Sequence, residues 1–169
     1  MALGNVAVLE QVEGNHQQSI TLCDESRAIF AKCGDEVSLL WATFSVAASL
    51  WELGRAHEAH ELMAQHLPEL VRLAEPELLM AVGEQFADIL AEREQHRLAA
   101  RLFAAVDAMR QRNGVPRKPH NEAEHAECLT KVRAAITAQE WASEYDQGRN
   151  MTVEDALTEA HAATTNLAG

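Results

Sequence analysis

Eight histidines and three cysteines are the side chains best suited to chemistry here, and their spacing decides whether they can act together. His57 and His60 stand three apart with Glu61 beside them, and His125 and Cys128 repeat that interval. Residues three apart on a helix share a face. A zinc site, however, needs three or four ligands converging on one point, and the chain has neither a His-Glu-x-x-His run nor a Cys-x-x-Cys pair. The expectation is no metal, with the histidines on solvent-facing helix surfaces. Cys23, Cys33 and Cys128 form an odd set without paired spacing, which predicts no disulfide framework and a reducing, cytoplasmic setting. Nothing near Cys23 or Cys128 would activate a thiolate, and Cys23 falls where a core would take a small hydrophobe. No glycine-rich phosphate loop and no Gly-x-Ser-x-Gly elbow occur. Glu84 and Asp88 are spaced for one helix face and read first as a solvated pair. No catalytic residue, no cofactor and no enzymatic activity are expected.

The balance of charge narrows the partners. Twenty-six acidic residues against 14 basic ones leave a formal charge of −12, which repels nucleic acid and anionic membranes. Arg110, Arg112, Arg117 and Lys118 are the one basic cluster, and without interleaved aromatics they read as a solvated connector. Residues 1–9 lack a basic flank and no apolar run approaches a membrane span, so neither a signal peptide nor a transmembrane segment is expected. Apolar residues make up 47% of the chain but aromatics only 5%, a balance that favours closely packed helices over strands.

Those helices are punctuated at an interval of 40 residues. Gly14 and Gly54 lie 40 apart, and Glu94 occupies the next such position. Gly34, Ala74 and Gly114 carry the same interval half a period out of phase. Two interleaved sets of breakers mean two helices per repeat, a stack of αα-hairpins. Interior positions keep the register: small residues at Ala7, Ala47 and Ala87 and at Ser19, Ala59 and Ala99, and larger apolar ones at Val6, Val46 and Phe86 and at Cys23, Met63 and Phe103. Close helix approach needs a small side chain, with a bulky one nearby to fill the gap.

This small–turn–small spacing resembles the tetratricopeptide repeat. The segment from Gly14-Asn15-His16 through Glu25-Ser26-Arg27-Ala28-Ile29-Phe30 to Gly34-Asp35 is similar to the roughly 40-residue variant in large bacterial transcriptional regulators of the ATPase and LuxR types. Leu98-Ala-Ala-Arg-Leu-Phe-Ala-Ala-Val-Asp-Ala-Met-Arg110 resembles the last repeat of such proteins, and Trp141 to Ala156 the segment that closes it. The resemblance implies an all-α, right-handed superhelix of antiparallel helix pairs with a C-terminal helical cap. It also implies a non-catalytic module for protein interaction or signal sensing within a larger regulator. Glu94 departs from the usual glycine. Glu10 stands where a bulky residue normally packs, which predicts a first helix partly facing solvent or covered by something else. Starting at Met1 without a capping helix reads as a fragment, with the first surface covered by earlier repeats or by self-association, and a tendency to dimerise follows.

About three helix pairs are expected over residues 1–114, a proline-containing loop over 115–120 and capping helices with a frayed tail over 121–169. Asn121 is expected to cap a helix running to Gln139 with an apolar stripe of Ala126, Leu129, Val132, Ala135 and Ile136. A short helix around 140–146 is expected to end near Gly148, and Thr152 to cap a last helix of about ten residues with Asp155 as its third. The tail beyond His161 is expected to fray.

In tetratricopeptide stacks the first helix of each pair lines a concave groove. The resemblance places Trp41, Phe44, Ala48, Trp51 and Glu52 in that groove from the second pair, and Ala81, Glu84, Asp88, Ala91 and Glu92 from the third. Aromatic anchors beside acidic residues would suit an amphipathic or basic peptide. The same aromatics could instead pack against other parts of the parent protein. An alternative of another class is a small-molecule sensor with an enclosed, largely apolar pocket between helix layers.

Overall fold

The computed structural model describes residues 2–117 and 119–165. Nine α-helices and no strands occur among them: α1 (Ala2–Val12), α2 (His16–Cys33), α3 (Glu36–Glu52), α4 (Ala56–Leu73), α5 (Pro76–Glu92), α6 (His96–Asn113), α7 (Pro119–Ala135), α8 (Ala138–Asn150) and α9 (Val153–Thr165). No described helix is long and apolar enough to cross a membrane. The chain divides into two compact units, an N-terminal one up to Glu75 with α1–α4 and a C-terminal one from Pro76 with α5–α9.

The 40-residue register is written in the turn hydrogen bonds. Asn15, Arg55 and Gln95 donate their backbone N–H groups to Glu10, Leu50 and Leu90 O at 2.8, 2.9 and 2.8 Å. One residue earlier, Gly14, Gly54 and Glu94 donate to Gln11, Trp51 and Ala91 O. This paired 6→1 and 5→2 bonding closes a helix through a left-handed residue. Glu94 takes φ +60° to do so, beside +82° at Gly14 and +73° at Gly54. In the alternate set Gly34 and Gly114, at +70° and +65°, close with the same paired bonds, whereas Ala74, at +48°, closes with a single bond from its N–H to Leu70 O at 3.0 Å. Glycine is thus the cheaper occupant of these positions, and the turn survives without it.

The interior follows the same register. Ala7, Ala47 and Ala87, and Ser19, Ala59 and Ala99, are all buried. In the N-terminal unit Ala7, Ile20, Cys23, Val46, Leu50 and Ala59 make one core cluster, with Leu22, Trp51 and Leu62 packed against it. Ser49 Oγ donates to Ser19 Oγ at 3.4 Å across the α2–α3 contact, which joins two buried hydroxyls. Cys23, Met63 and Phe103 are buried as their positions require. Val6 breaks the pattern. It is 42% exposed, where Val46 is 4% and Phe86 3% exposed.

The C-terminal helices correct several boundaries. α7 starts at Pro119, two residues before Asn121, because proline's fixed φ suits a first helical turn and its missing N–H costs nothing there. Its buried line is His125 and Val132 with Cys128 and Leu129 half-buried between, while Ala126 and Ala135 are exposed. α8 spans Ala138–Asn150 and begins with a capping box: Thr137 Oγ1 accepts from Glu140 N at 3.2 Å, and Glu140 Oε2 accepts from Thr137 N at 2.9 Å. Gly148 lies inside α8 and does not end it. A Cβ there would stand 2.0 Å from Arg101 O and 2.8 Å from Ala104 Cβ, so this glycine permits close approach of α8 to α6. Thr152 does cap α9, accepting from Asp155 N at 3.1 Å, and the helix runs 13 residues. The end of the tail expected to fray, residues 166–169, lies outside the described residues.

Candidate functional site

The residues singled out for a groove fall in both units and have different surroundings. On α3, Trp41 is 39% exposed near the start of the helix, and Phe44, one turn on, is 3% exposed. Trp51 is half-buried against the core cluster around Val46 and Leu50, and Glu52 is exposed. Trp41 and Glu52 therefore remain surface groups, whereas Phe44 offers nothing to an outside partner. On α5, Ala81, Glu84 and Ala91 are half-buried, and Asp88 and Glu92 exposed.

The two α5 carboxylates are engaged inside the C-terminal unit. Arg110 forks onto Glu84, with Nε and Nη2 donating to Oε1 and Oε2 at 2.8 Å each. Arg117 Nε adds a third bond to Glu84 Oε1 at 2.7 Å. Asp88 lies beside Cys128, whose thiol burial and that carboxylate push up to about 12. Burial likewise raises Cys23. Neither thiol is a nucleophile near neutral pH. All three cysteines are free.

Arg110 and Arg117, expected in a solvated connector, are instead the least exposed cations of a polar cluster. Arg117 Nη2 also donates to Asp107 Oδ1, and Tyr145 OH donates to Asp107 Oδ2 at 2.6 Å. The side chains of Arg117 and Glu84 are only 10% and 15% exposed. A guanidinium can be buried this deeply because its planar fork meets two carboxylates at once. The cluster joins α5, α6, the loop before α7 and α8. Tyr145 is held well above the usual phenol range by burial and by the carboxylate it donates to.

His125 completes this cluster. Its ring meets Phe103 edge-on, with centroids 5.0 Å apart, and its Nε2 is 3.6 Å from Asp107 Oδ1. That distance exceeds hydrogen-bond reach, and the buried Nε2 has no partner among the described residues. Burial, then the Arg117 charge, hold His125 below the ordinary imidazole value, against the opposing pull of Asp107, Glu84 and Glu122. No group of three or more His, Cys, Asp or Glu among the described residues is arranged to hold a metal ion.

A second set of ion pairs fastens the last two helices. Arg101 Nε donates to Glu144 Oε2 at 2.9 Å, Arg101 also pairs with Glu159, and Arg97 pairs with Glu140. With Gly148 set against Arg101 O, these hold α8 and α9 on α6. Trp141 stacks on Tyr145 at 5.0 Å and 24°, and Arg133 lies 5.7 Å from the Trp141 ring centroid. None of this was visible in the spacing of residues, although the run of arginines on α6 was the available signal.

Among the described residues, the large, well-exposed apolar side chains have a different address. Val6, Val8, Leu9, Val12, Ile29, Trp41 and Leu53 all belong to the N-terminal unit. Val8, Leu9 and Val12 share one face of α1, and Leu9 is 61% and Val12 80% exposed. Soluble surfaces seldom group such residues without a partner for them.

Comparison with known proteins bears on this unit. No curated protein and no solved structure gives a match. Residues 1–68, covering α1, α2, α3 and most of α4, match the family model of the tetratricopeptide repeat, a helical repeat that generally mediates protein–protein interaction.

Proposed function

We propose that the chain is a non-catalytic protein-interaction or signal-sensing repeat module, serving in the cytoplasm within a larger bacterial transcriptional regulator of the ATPase or LuxR type. The observation that carries the reading is the gathering of exposed apolar side chains in the unit that matches the tetratricopeptide repeat. The contact surface is the α1 face of Val8, Leu9 and Val12, together with Trp41, Trp51 and Glu52 on α3. Phe44 supports the scaffold behind that surface, and Glu84 and Asp88 belong to the internal scaffold of the C-terminal unit. The occupant is a helix of a neighbouring domain of the parent, a partner protein, or a second copy of the chain.

The internal register supports a helix as occupant. Val6 and Leu9 are the counterparts, one period earlier, of Val46 and Ser49. Val46 clusters with Ile20 and Cys23 of α2, and Ser49 bonds to Ser19 of α2. An α2-like helix would therefore suit the corresponding face of α1. The test uses the intact chain. Light scattering across a concentration series and anisotropy with labelled amphipathic peptides should detect self-association or peptide binding, and Leu9→Glu with Val12→Glu should abolish it. A chain that stays monomeric at high concentration and binds none of the peptides would sink the reading.

A further inference from the structure

The C-terminal unit holds a cleft of about 730 Å³ between α6, the loop before α7, α7 and α8. That volume is within the range of about 300–1,000 Å³ usual for small-molecule sites. We propose that this cleft binds a small organic monoanion with an apolar body, such as an aryl carboxylate, through the guanidinium of Arg149. The proposal concerns a different unit from the protein-interaction surface and stands apart from it.

Three observations combine. First, the charges lining the cleft are mostly spent: Arg110 and Arg117 are matched by Glu84 and Asp107, whereas Arg149 takes part in none of the ion pairs of the described residues. An unmatched guanidinium on a cleft wall is a natural carboxylate receptor, because its fork donates to two oxygens at once. Second, Arg149 is placed by packing. Gly148 sets α8 tightly against α6, and Tyr145 and Arg149, four residues apart, line the cleft from one face of α8. Third, Val115, Pro116, Ala126 and Leu129 supply apolar wall for the body of the ligand. Glu122 and the remaining carboxylate character of Asp107 line the same cleft. They repel any anion, and a dianion more strongly than a monoanion, so a monocarboxylate held by Arg149 is favoured over dianionic phosphate.

The probe is sodium benzoate, titrated into the full chain at constant ionic strength and followed by amide chemical shifts. Saturable shifts confined to residues 107–117, 122–129 and 145–149 are expected. Arg149→Gln, an exposed position outside the ion-pair cluster, should weaken the interaction roughly tenfold or more, as should replacing benzoate by benzamide. Shifts that do not saturate, that fall elsewhere, or that survive Arg149→Gln would overturn the proposal. An equal response to inorganic phosphate would overturn it too. The melting temperature of the Arg149→Gln protein should match wild type, which separates lost binding from lost fold.

Discussion

The two units spend their charges differently. In the N-terminal unit the ion pairs are mostly local and wet: Arg27 with Asp24, Arg55 with Glu58 and Arg72 with Glu69 are each three residues apart on exposed ground. In the C-terminal unit Arg97, Arg101, Arg110 and Arg117 reach across to other elements, 10 to 58 residues away in sequence. Local exposed pairs contribute about 0–1 kcal/mol, whereas breaking a buried one strands its partner. The C-terminal unit thus closes on itself with polar clips, while the N-terminal unit leaves an apolar face of α1 exposed. Tetratricopeptide-like packing alone does not determine which of these a repeat does. Its arginines do.

The sharpest way to break this contrast is Gly148→Val. The side chain would collide with Arg101 O, a backbone atom that cannot yield without moving α6, and a loss of about 3 kcal/mol or more in denaturant unfolding is expected. An unchanged midpoint would mean that α8 does not rest on α6 this closely. Next comes Arg117→Ala, which leaves Glu84 with Arg110 alone and Asp107 without its arginine. About 2–3 kcal/mol should be lost, reduced from the fully buried case because Asp107 is partly solvated. The matching change in the N-terminal unit, Arg55→Ala, should leave the unfolding midpoint nearly unchanged, because the Arg55–Glu58 pair is exposed and screened by solvent. Equal costs would erase the distinction between the units.

Acid should also separate them. His125 titrates below its ordinary value in the folded chain, so the folded state holds it neutral while the unfolded state takes up a proton near pH ~6.5. Its stabilisation is therefore complete above that pH and is lost as pH falls through the lower, folded value. His161 in the C-terminal unit and His66 in the N-terminal unit shift in the same direction, so His125→Phe should flatten only part of the acid limb. Urea midpoints at pH 7 and pH 5.5 measure it, and an identical slope in the variant would remove His125 from the account. The remaining effect has the opposite sign. Glu94→Gly relieves a left-handed φ in a turn that already has its hydrogen bonds, and should stabilise by about 0.5–1 kcal/mol.

Much of the scaffold is legible in the order of residues, because turns and helix contacts are local or recur at a fixed interval. Gly14, Gly54 and Glu94 can be aligned by counting, and Ala59 and Ala99 are buried where the count puts them. The polar clips are not legible, because Glu84 and Arg110 lie 26 residues apart and only the packing of α5 on α6 brings them together. Gly148 is a case of one letter with two uses. A glycine near a helix end suits a left-handed terminus or a close contact equally well, and only the proximity of Arg101 O decides for the second. For the groove residues, periodicity places Phe44 and Trp41 on α3 but does not separate the buried ring from the exposed one.

The turn at Glu94 carries a consequence for how such a chain can change length. Since equivalent carbonyls accept equivalent amides at Gly14, Gly54 and Glu94 with or without glycine, the repeating unit there is a bonding pattern and not a motif of letters. Within one unit, gain or loss of 40 residues at such a turn keeps the helices in phase, while another increment shifts the small residues out of their contacts. A duplicated stretch equivalent to residues 1–40, spliced ahead of α1, would carry its own copy of α2 to the face of Val6 and Leu9. The molecule is in this sense an extensible polymer whose monomer is defined by where its backbone folds back.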